Sequence, residues 1–498
     1  MTRTSGREHH RVIVVGTGFA GIGMAIRLRE RGITDFVVLE RAGDIGGTWR
    51  DNTYPGAACD VPSHLYSFSF ALNPAWSRSF SGQQEIWDYL QRCTDAYGVR
   101  PHLRLHHEVL DASWDHDARR WHVRTNRGGL TADILVTGTG ALSEPSTPDI
   151  PGLESFQGSV FHSAQWDHSH DLSGRRVAVI GTGASAIQFV PEIQPEVESL
   201  TVFQRTPPWV IPRLDRDLTG AEKALYRAAP RLQQLVRAAI YWARESYVLG
   251  FSFNRRLMKA AELIARRQLR RQVPDEAVRA TLTPDYTIGC KRILISSDYY
   301  PAIMKSNVDV VTSGITEIGP RSVCTGDGAE REVDTIIFGT GFHVTDMPVA
   351  SRIRGREGRC LAETWADSAQ AHRGTTVAGF PNLFMLVGPN TGLGHTSMVY
   401  MIESQVSYVL DALRHLERSG AAAVEARLPA QVAYNESVQE RMRDTVWTTG
   451  GCASWYLDAR GRNTTLWPSF SWQFRRATRR FEPAEYVEHE RVPEHAAA

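Results

Sequence analysis

The chain has 498 residues, with 56 Lys plus Arg against 55 Asp plus Glu and a formal net charge of +1. This length predicts two or three domains, and the balanced charge argues against a nucleic-acid partner bound through a broad basic face. No uncharged apolar run approaches the roughly 18–20 residues of a bilayer-spanning helix, and residues 1–11 lack the apolar stretch of a secretory signal. We therefore expect a soluble, cytoplasmic, multidomain protein, a monomer or small homo-oligomer, with no membrane or nucleic-acid partner.

The six cysteines are scattered along the chain, and no two of them form a CxxC pair. In so long a chain this spacing predicts neither a disulfide framework nor a thiolate zinc site, and it gives no local signature of a dithiol redox centre. The histidines at 9–10, 106–107, 168 and 170 lack partners at metal-ligand spacing. We expect no metal site.

The first strong structural signal is a nucleotide-binding pattern near the N-terminus. A short β-branched strand at 11–15 runs into the turn GTGFAG at 16–21, a helix follows, and a second apolar strand at 36–39 ends at Glu40. The glycines let the backbone approach a pyrophosphate, and the helix N-terminus attracts its negative charge. Glu40 stands where a carboxylate accepts hydrogen bonds from ribose hydroxyls, so this unit is expected to bind a cofactor without a 2′-phosphate.

The same pattern recurs further along the chain. A strand at 176–180 enters the turn GTGASA at 181–186, in which Ala186 replaces the third glycine, and a later strand ends just before Arg205. Arg205 stands 24 residues after Gly181, where the first unit has its carboxylate. Because a guanidinium binds phosphate as a fork, this second unit is expected to bind NADPH.

Two further segments, 133–140 and 334–341, are similar in sequence, and each is an apolar strand that ends in Gly-Thr-Gly. Residues 221–280 have apolar side chains at helical spacing and predict a helical insertion. Its arginine pairs at 266–267 and 270–271 are interpreted as a solvated helix face. The predicted fold class is α/β, with two doubly wound, Rossmann-like dinucleotide-binding domains and a helical insertion.

The segment between the two units carries the most specific motif. Residues 156–167 fit the pattern FxGxxxHxxxW followed by Asp, and residues 46–60 (GGTWRDNTYPGAACD) fit a second pattern. Both are fingerprints of the type I Baeyer–Villiger monooxygenases, a family of class B flavoprotein monooxygenases, which this chain resembles over nearly its whole length. His162 and Trp166 of the first motif are interpreted as residues that orient domains and pack, not as catalytic groups.

The resemblance implies an FAD-binding domain interrupted by an NADPH-binding domain, which is itself interrupted by helices. The implied boundaries are 1–145 and 381–498 for the two parts of the FAD domain, 152–212 and 325–380 for those of the NADPH domain, and 213–324 for the helical insertion. The last part, 381–498, is also expected to supply the substrate-pocket loops.

In this family NADPH reduces FAD, and the reduced flavin captures O₂ as a C4a-peroxide. This C4a-peroxyflavin inserts one oxygen atom next to a ketone carbonyl to give an ester or lactone. Such chemistry needs a permanent cation beside the anionic peroxide, and an arginine, with a pKa above about 12, does not lose its proton. The segment Gly289-Cys-Lys291-Arg292 matches the family's active-arginine loop. The implied catalytic residues are Arg292 and Asp60, the carboxylate that holds the arginine in place.

The motif positions also imply which residues bind the cofactors. The expected FAD contacts are Gly16, Gly18, Phe19, Ala20, Gly21, Glu40, Gly47, Thr48, Trp49, Asp60, Tyr66, Val109 and Met398. The expected NADPH contacts are Gly181, Thr182, Gly183, Ser185, Ala186, Arg205, Thr206, Lys291 and Arg292. Trp455 and Tyr456 are expected either to line the ketone pocket or a lid, or to pack as ordinary aromatic residues.

Three other functions stay open on the sequence alone. A flavin-containing monooxygenase would oxidise amine nitrogen or sulfide sulfur, an FAD disulfide reductase would need a paired redox dithiol, and a flavoprotein could instead sense NADPH or oxygen. The ketone itself is not predicted, because pocket shape depends on loops that one sequence does not fix.

Overall fold

A computed structural model describes residues 8–491 of the chain. The strands are β1 (Glu8–Val15), β2 (Phe36–Leu39), β3 (Leu103–Arg104), β4 (Val109–Asp115), β5 (Arg120–Thr125), β6 (Gly128–Thr137), β7 (Ser159–His162), β8 (Arg176–Ile180), β9 (Ser199–Phe203), β10 (Val210–Ile211), β11 (Leu294–Ile295), β12 (Val308–Val311), β13 (Ile315–Ile318), β14 (Ser322–Thr325), β15 (Glu330–Glu332), β16 (Thr335–Phe338), β17 (Ile353–Arg354), β18 (Leu383–Met385), β19 (Ala423–Ala426) and β20 (Tyr486–His489).

The helices are α1 (Phe19–Glu30), α2 (Thr48–Asp51), α3 (Gln83–Ala96), α4 (Ala186–Ile193), α5 (Gly220–Ala228), α6 (Pro230–Glu245), α7 (Met258–Gln272), α8 (Glu276–Thr281), α9 (Tyr299–Ile303), α10 (Leu361–Thr364), α11 (Met398–Ser419), α12 (Leu428–Met442), α13 (Val446–Thr449) and α14 (Ser471–Ala477). Within residues 8–491, none of the helices has both the length and the apolar character needed to cross a membrane.

The first sheet belongs to the first nucleotide-binding unit. Its strand order is β17-β4-β5-β6-β1-β2-β3, β18 also pairs with β6, and β1 runs parallel to both β6 and β2. Successive residues of β1 face opposite sides of the sheet. Val12 and Val14 pack in one core with side chains of α1 and α11, whereas Ile13 packs in another with Trp114 and Trp121. Both faces are buried, which is the arrangement expected of a doubly wound sheet.

The second sheet has the order β12-β9-β8-β16-β7, and all its strands are parallel. Val177 and Val179 of β8 pack in one core, and Ala178 and Ile180 pack in another on the opposite face. The first sheet is mixed, since β5 runs antiparallel to β4 and β6, while β1, β2, β3, β6 and β18 are parallel. The predicted α/β class with two dinucleotide-binding units is confirmed.

Two short strands lie outside the sequence ranges expected for their units. β12 falls within the range 213–324 expected for the helical insertion, but it pairs with β9 of the second sheet. β17 falls within 325–380, expected for the NADPH domain, but it pairs with β4 of the first sheet. Each strand is far in sequence from its partner, so a local pattern does not reveal its membership. The helices of the insertion, α5 to α8, span 220–281.

Each glycine turn packs against the Gly-Thr-Gly segment of its own unit, the turn at 16–21 against residues 138–140 and the turn at 181–186 against residues 339–341. A Cβ atom on Gly16 (φ +99°) would lie 2.6 Å from the carbonyl oxygen of Gly138, and one on Gly181 (φ +108°) would lie 2.5 Å from that of Gly339. Glycine avoids both the clash and the strain of a positive φ. The two Gly-Thr-Gly strands thus make equivalent contacts with the two turns.

The cysteines differ from the sequence expectation. Cys290 and Cys452 form a disulfide with an S–S distance of 1.97 Å, although 162 residues separate them. Gly450 packs against Cys290, where a Cβ atom would lie 2.6 Å from the Cβ of the cysteine. The pairing depends on this contact between two loops, which leaves no CxxC-like signature in the sequence. The four other cysteines, Cys59, Cys93, Cys324 and Cys360, are free thiols.

Candidate active site

Arg292 and Asp60, the two residues that the sequence predicts as catalytic, form an ion pair. Nε and Nη2 of Arg292 both lie 2.6 Å from Oδ2 of Asp60, and Nη1 lies 3.5 Å from the carbonyl oxygen of Leu393. The two side chains are 29% and 27% exposed. The pair is therefore fixed by the protein on one side and accessible on the other.

The ion pair controls the charge of both groups. Burial alone would raise the pKa of Asp60, but the charges of Arg292 and Arg244 and the hydrogen bond from Arg292 outweigh it, so the pKa lies below its ordinary value. The charge of Asp60 raises the pKa of Arg292 despite burial of the guanidinium. Both groups stay ionised near neutral pH.

Helix α6 of the insertion holds the segment that carries Asp60. Arg244 donates a hydrogen bond from Nη2 to the carbonyl oxygen of Asp60 at 3.0 Å, and Arg237 donates from Nη1 to the carbonyl oxygens of His64 and Leu65 at 2.7 and 3.0 Å. The sequence analysis missed both arginines. Their seven-residue spacing places them on one face of a helix, and this is the signal that could have identified them.

The neighbouring residue on α6, Glu245, is buried and binds two further segments. Its Oε1 accepts from the Ser471 hydroxyl at 2.6 Å and lies 3.0 Å from Nε2 of His395, and its Oε2 accepts from the backbone N–H of Ser471 at 3.0 Å. Burial lowers the pKa of His395 even though Glu245 opposes the shift. The imidazole is therefore neutral and donates its Nε2 proton to the carboxylate. The sequence analysis missed this buried cluster as well.

The expected FAD pyrophosphate site is a cradle of backbone at the N-terminus of α1. Gly18 is the N-cap of α1, and a Cβ atom on Gly47 (φ +52°) would lie 3.1 Å from the Cα of Gly18. Gly16, Phe19, Ala20 and Gly21 complete this turn. A glycine-rich backbone surface at a helix N-terminus fits a pyrophosphate.

Glu40 is held at the end of β2, beside this turn. Its Oε2 accepts from the N–H and the hydroxyl of Thr17 at 3.1 and 2.5 Å, and its Oε1 accepts from the N–H of Ala42 at 3.0 Å and lies 3.0 Å from Nη1 of Arg50. These contacts fix the carboxylate at the end of β2, next to the glycine turn. The backbone N–H of His107 donates to the carbonyl oxygen of Glu40 at 2.8 Å, which brings the start of β4, Val109, to the same region.

The other expected FAD residues lie at the starts of two helices and on the segment between Asp60 and Phe68. Thr48 and Trp49 begin α2, and the indole N–H of Trp49 donates to the Tyr66 hydroxyl at 3.1 Å. Burial raises the pKa of Tyr66, and the charges of Asp60 and Arg292 also act on it. Met398 begins α11 and packs against a cluster that contains Leu393, whose carbonyl oxygen faces Arg292.

The expected NADPH phosphate site combines a helix N-terminus with two cations. The turn that contains Thr182 and Gly183 leads to Ser185, the N-cap of α4, and Ala186 is the first residue of this helix. Burial lowers the pKa of Lys291, and the nearby positive charge of Arg205 lowers it further. Two cations that destabilise each other fit an anionic ligand such as a 2′-phosphate. Thr206 directly follows Arg205.

A glutamine on α4 joins the two nucleotide-binding units. Oε1 of Gln188 accepts from the Tyr54 hydroxyl at 3.0 Å and from the Ala58 N–H at 3.3 Å, and its Nε2 donates to the carbonyl oxygen of Ala58 at 3.0 Å. The sequence analysis missed this contact, because an isolated helical glutamine has no motif. It fixes the second glycine turn relative to the segment that leads to Asp60.

The FxGxxxHxxxW motif lies at the edge of the second sheet. A Cβ atom on Gly158 would lie 2.6 Å from the ring of Phe156, and the indole of Trp166 packs against Phe189 of α4 at 5.3 Å. His162 packs against Phe342 at 5.8 Å, and burial lowers its pKa to about 4. Both side chains therefore pack against aromatic residues of the second unit.

Tyr456 and Trp455 differ in their surroundings. Tyr456 is buried, which raises its pKa to about 12, while the nearby charge of Arg292 acts in the opposite direction. Trp455 is exposed and packs on Tyr456 with ring centroids 4.4 Å apart. Tyr456 therefore belongs to the surroundings of the ion pair, whereas Trp455 contacts Tyr456 and is exposed to solvent.

Comparisons with known proteins identify the family of the chain. A sequence profile of the family described as pyridine nucleotide-disulphide oxidoreductase matches residues 13–219. A Baeyer–Villiger monooxygenase of Streptomyces coelicolor is 58% identical over 480 residues, which are 96% of this chain and 92% of that protein.

Solved structures extend the likeness to the whole fold. A steroid monooxygenase bound to NADP is 32% identical, with a TM-score of 0.84 over 97% of this chain and 100% of that one. A complex of OTEMO with FAD and NADP is 27% identical, with a TM-score of 0.86 over 96% of this chain and 99% of that one. The fold is shared, both nucleotide-binding units are present, and the sequence similarity extends over nearly the whole chain. The chain therefore belongs to the Baeyer–Villiger monooxygenases, the FAD-dependent flavoprotein monooxygenases that use NADPH.

Proposed function

We propose that the enzyme inserts one atom of O₂ next to the carbonyl carbon of a small-molecule ketone and releases an ester or a lactone, with Arg292 as the catalytic cation. The observation that carries this proposal is the ion pair of Arg292 and Asp60, in which the carboxylate fixes the guanidinium while both side chains stay partly exposed. The exposed part of the guanidinium is available to a substrate oxygen.

Arg292 stabilises negative charge without supplying a proton. When bound and reduced by NADPH, FAD supplies the activated oxygen. As oxygen adds to the ketone, negative charge develops on the carbonyl oxygen, and a fixed cation stabilises that charge. Because the pKa of Arg292 is raised by Asp60, the guanidinium stays protonated throughout. Asp60 acts as a positioning residue and offsets the cost of burying the positive charge.

The cofactor sites follow the two glycine turns. The turn at 16–21 binds the FAD pyrophosphate, Glu40 binds its ribose, and residues 47–49, Tyr66, Val109 and Met398 line the rest of that site. The turn at 181–186 binds the NADPH pyrophosphate, and Arg205, Thr206 and Lys291 bind its 2′-phosphate. Gln188 keeps the two sites in a fixed relation, since it bridges α4 to the Asp60 segment.

The test is the variant Arg292→Ala, assayed with a panel of linear, cyclic and aryl ketones. FAD absorbance should be unchanged, whereas ester or lactone formation should fall by at least about 100-fold, as for loss of a group that stabilises transition-state charge. The matched control is Arg176→Ala, because Arg176 forms an equally exposed pair with Asp334 away from the site. Full ester formation by Arg292→Ala would overturn the proposal.

A parallel assay with thioethers and amines separates ketone from heteroatom oxidation. The proposal predicts that ketones give product matched to NADPH consumption. Efficient amine or sulfide oxidation without any ketone turnover would assign the enzyme to the alternative chemistry.

A further inference from the structure

The outward face of α7, with the turn before it, exposes apolar side chains. Phe253, Leu257, Leu263 and Ile264 are 60%, 52%, 66% and 53% exposed, although such side chains are normally buried. We refer to these four residues as the apolar stripe. Seven of the fifteen large apolar side chains that are exposed within residues 8–491 lie in the short segment 242–264. The exposure is therefore concentrated in one part of the insertion.

The stripe covers about a third of the helix circumference. Ile264 follows Leu257 by seven residues, or about two helical turns, and shares its side, whereas Leu263 lies about 100° around the helix from Ile264. Met258, Ala265 and Leu269 form the opposite face and are buried in the protein. Helix α7 is thus anchored by one apolar face and presents a second one outward.

Basic side chains surround the stripe. Arg256, Lys259, Arg267, Arg270 and Arg271 are exposed, and none of them pairs with a carboxylate of residues 8–491. The single acidic residue of α7, Glu262, is already bound by Arg266 at 2.7 Å. These cations concentrate in one segment of a chain whose net charge is only +1. The segment therefore presents a concentration of unpaired positive charge to an external partner.

Against the sequence-based expectation of no membrane partner, we propose that this face docks on the surface of an anionic phospholipid bilayer. The apolar stripe enters the boundary between headgroups and acyl chains, and the five basic side chains bind lipid phosphates. A helix with exposed Phe, Leu and Ile among Lys and Arg is typical of interfacial helices that lie in the plane of a membrane.

Other occupants fit the surface less well. A second copy of the chain, related by a twofold axis, would bring the same five cations against one another, which is unfavourable. A nucleic acid would use the cations but would leave the apolar stripe in water. A bilayer with anionic headgroups satisfies both features at once.

The test is co-sedimentation of the full-length, FAD-loaded protein with vesicles of phosphatidylcholine alone or with one quarter phosphatidylglycerol. Binding should occur with the anionic vesicles and decrease at least tenfold at high salt, because salt screens exposed charges. The variant Leu263→Ser/Ile264→Ser should bind at least tenfold more weakly, and so should Arg267→Gln/Arg270→Gln/Arg271→Gln.

Two controls match these variants. Leu428→Ser changes a leucine that is 60% exposed on α12, and Arg476→Gln/Arg479→Gln/Arg480→Gln removes three exposed arginines elsewhere. Both should bind like the unchanged protein, and all variants should keep its FAD absorbance and melting temperature.

Three results would overturn the proposal: no binding to anionic vesicles, equal loss of binding in the controls, or a change from dimer to monomer in Leu263→Ser/Ile264→Ser without any vesicle binding. The last result, measured by light scattering, would assign the face to self-association. The test requires no turnover, so its outcome is independent of the proposed reaction.

Discussion

Oδ2 of Asp60 lies 2.6 Å from both Nε and Nη2 of Arg292, so a single carboxylate oxygen fixes one edge of the guanidinium. The two residues of the pair are 232 positions apart in the sequence. Arg244 also fixes Asp60, because it donates a hydrogen bond to its backbone carbonyl oxygen. The orientation of Arg292 therefore depends on a negative charge at position 60.

Asp60→Asn should lower kcat for ketone oxidation by about 10- to 100-fold, since small misplacement of a catalytic group has effects of this size. The amide keeps the shape of the side chain but removes its charge, so FAD content and KM for the ketone should change little. Steady-state assays with product identification measure this. Asp215→Asn, which removes the charge of the Arg78–Asp215 pair away from the site, is the control and should keep kcat. An unchanged kcat in Asp60→Asn would contradict the positioning role.

Arg205→Ala should raise KM for NADPH by about 10- to 100-fold, because a charge-assisted contact with the 2′-phosphate is lost. KM for NADH, which lacks this phosphate, should stay within about twofold. The readout is the ratio of kcat/KM for the two cofactors. Equal losses with NADPH and NADH would show that Arg205 does not bind the 2′-phosphate.

The free energy of unfolding should decrease as the pH falls below about 6.5. Burial lowers the pKa of His64, His162, His372 and His395, that of His162 to about 4, whereas unfolded histidines titrate near 6.5. Between these pKa values the unfolded chain binds more protons than the folded one, so acid favours unfolding. His162 alone should account for about 1 kcal/mol between pH 7.5 and 5.5.

Urea unfolding at the two pH values, with the unchanged protein and His162→Gln, measures this effect. The variant should show a smaller decrease between the two pH values, whatever its absolute stability. If both proteins lost the same amount, His162 would not be the group that takes up the proton.

Cys452→Ser should lower the free energy of unfolding of the oxidised protein by about 2–4 kcal/mol, the usual effect of losing a disulfide. A thiol reductant should bring the unchanged protein to the same value and leave the variant unaffected. Denaturation with and without reductant, with free thiols counted by mass spectrometry, provides the measurement. Cys324→Ser, which removes a free cysteine, is the control. Insensitivity of the unchanged protein to the reductant would contradict the pairing.

The parts of the site that the sequence predicted are those with a local pattern. The turns at 16–21 and 181–186 need glycine for close backbone contact, and this need is visible in the sequence as strand, turn and helix. The partnership of Arg292 and Asp60 is different, because its residues are far apart and only the resemblance to a known family connected them.

The missed residues make long-range contacts without a motif. Gln188, Arg244 and Glu245 each bind a segment more than a hundred residues away. The disulfide of Cys290 depends on two loops that meet only in the folded chain. On α7 the sequence showed two arginine pairs, but not which side of the helix packs against the protein. The exposure of Leu263 and Ile264 follows from tertiary structure alone.

Arg244 and Glu245 occupy consecutive positions on α6, and their side chains leave the helix about 100° apart. One reaches the backbone of Asp60 and the other the loop of His395, so a small rotation of α6 displaces both segments together. Amino-acid changes on the solvent side of this helix thus affect the position of Asp60, and through it that of Arg292. In directed evolution, libraries at these distant positions would act on both segments at once while every residue that holds the cation is preserved.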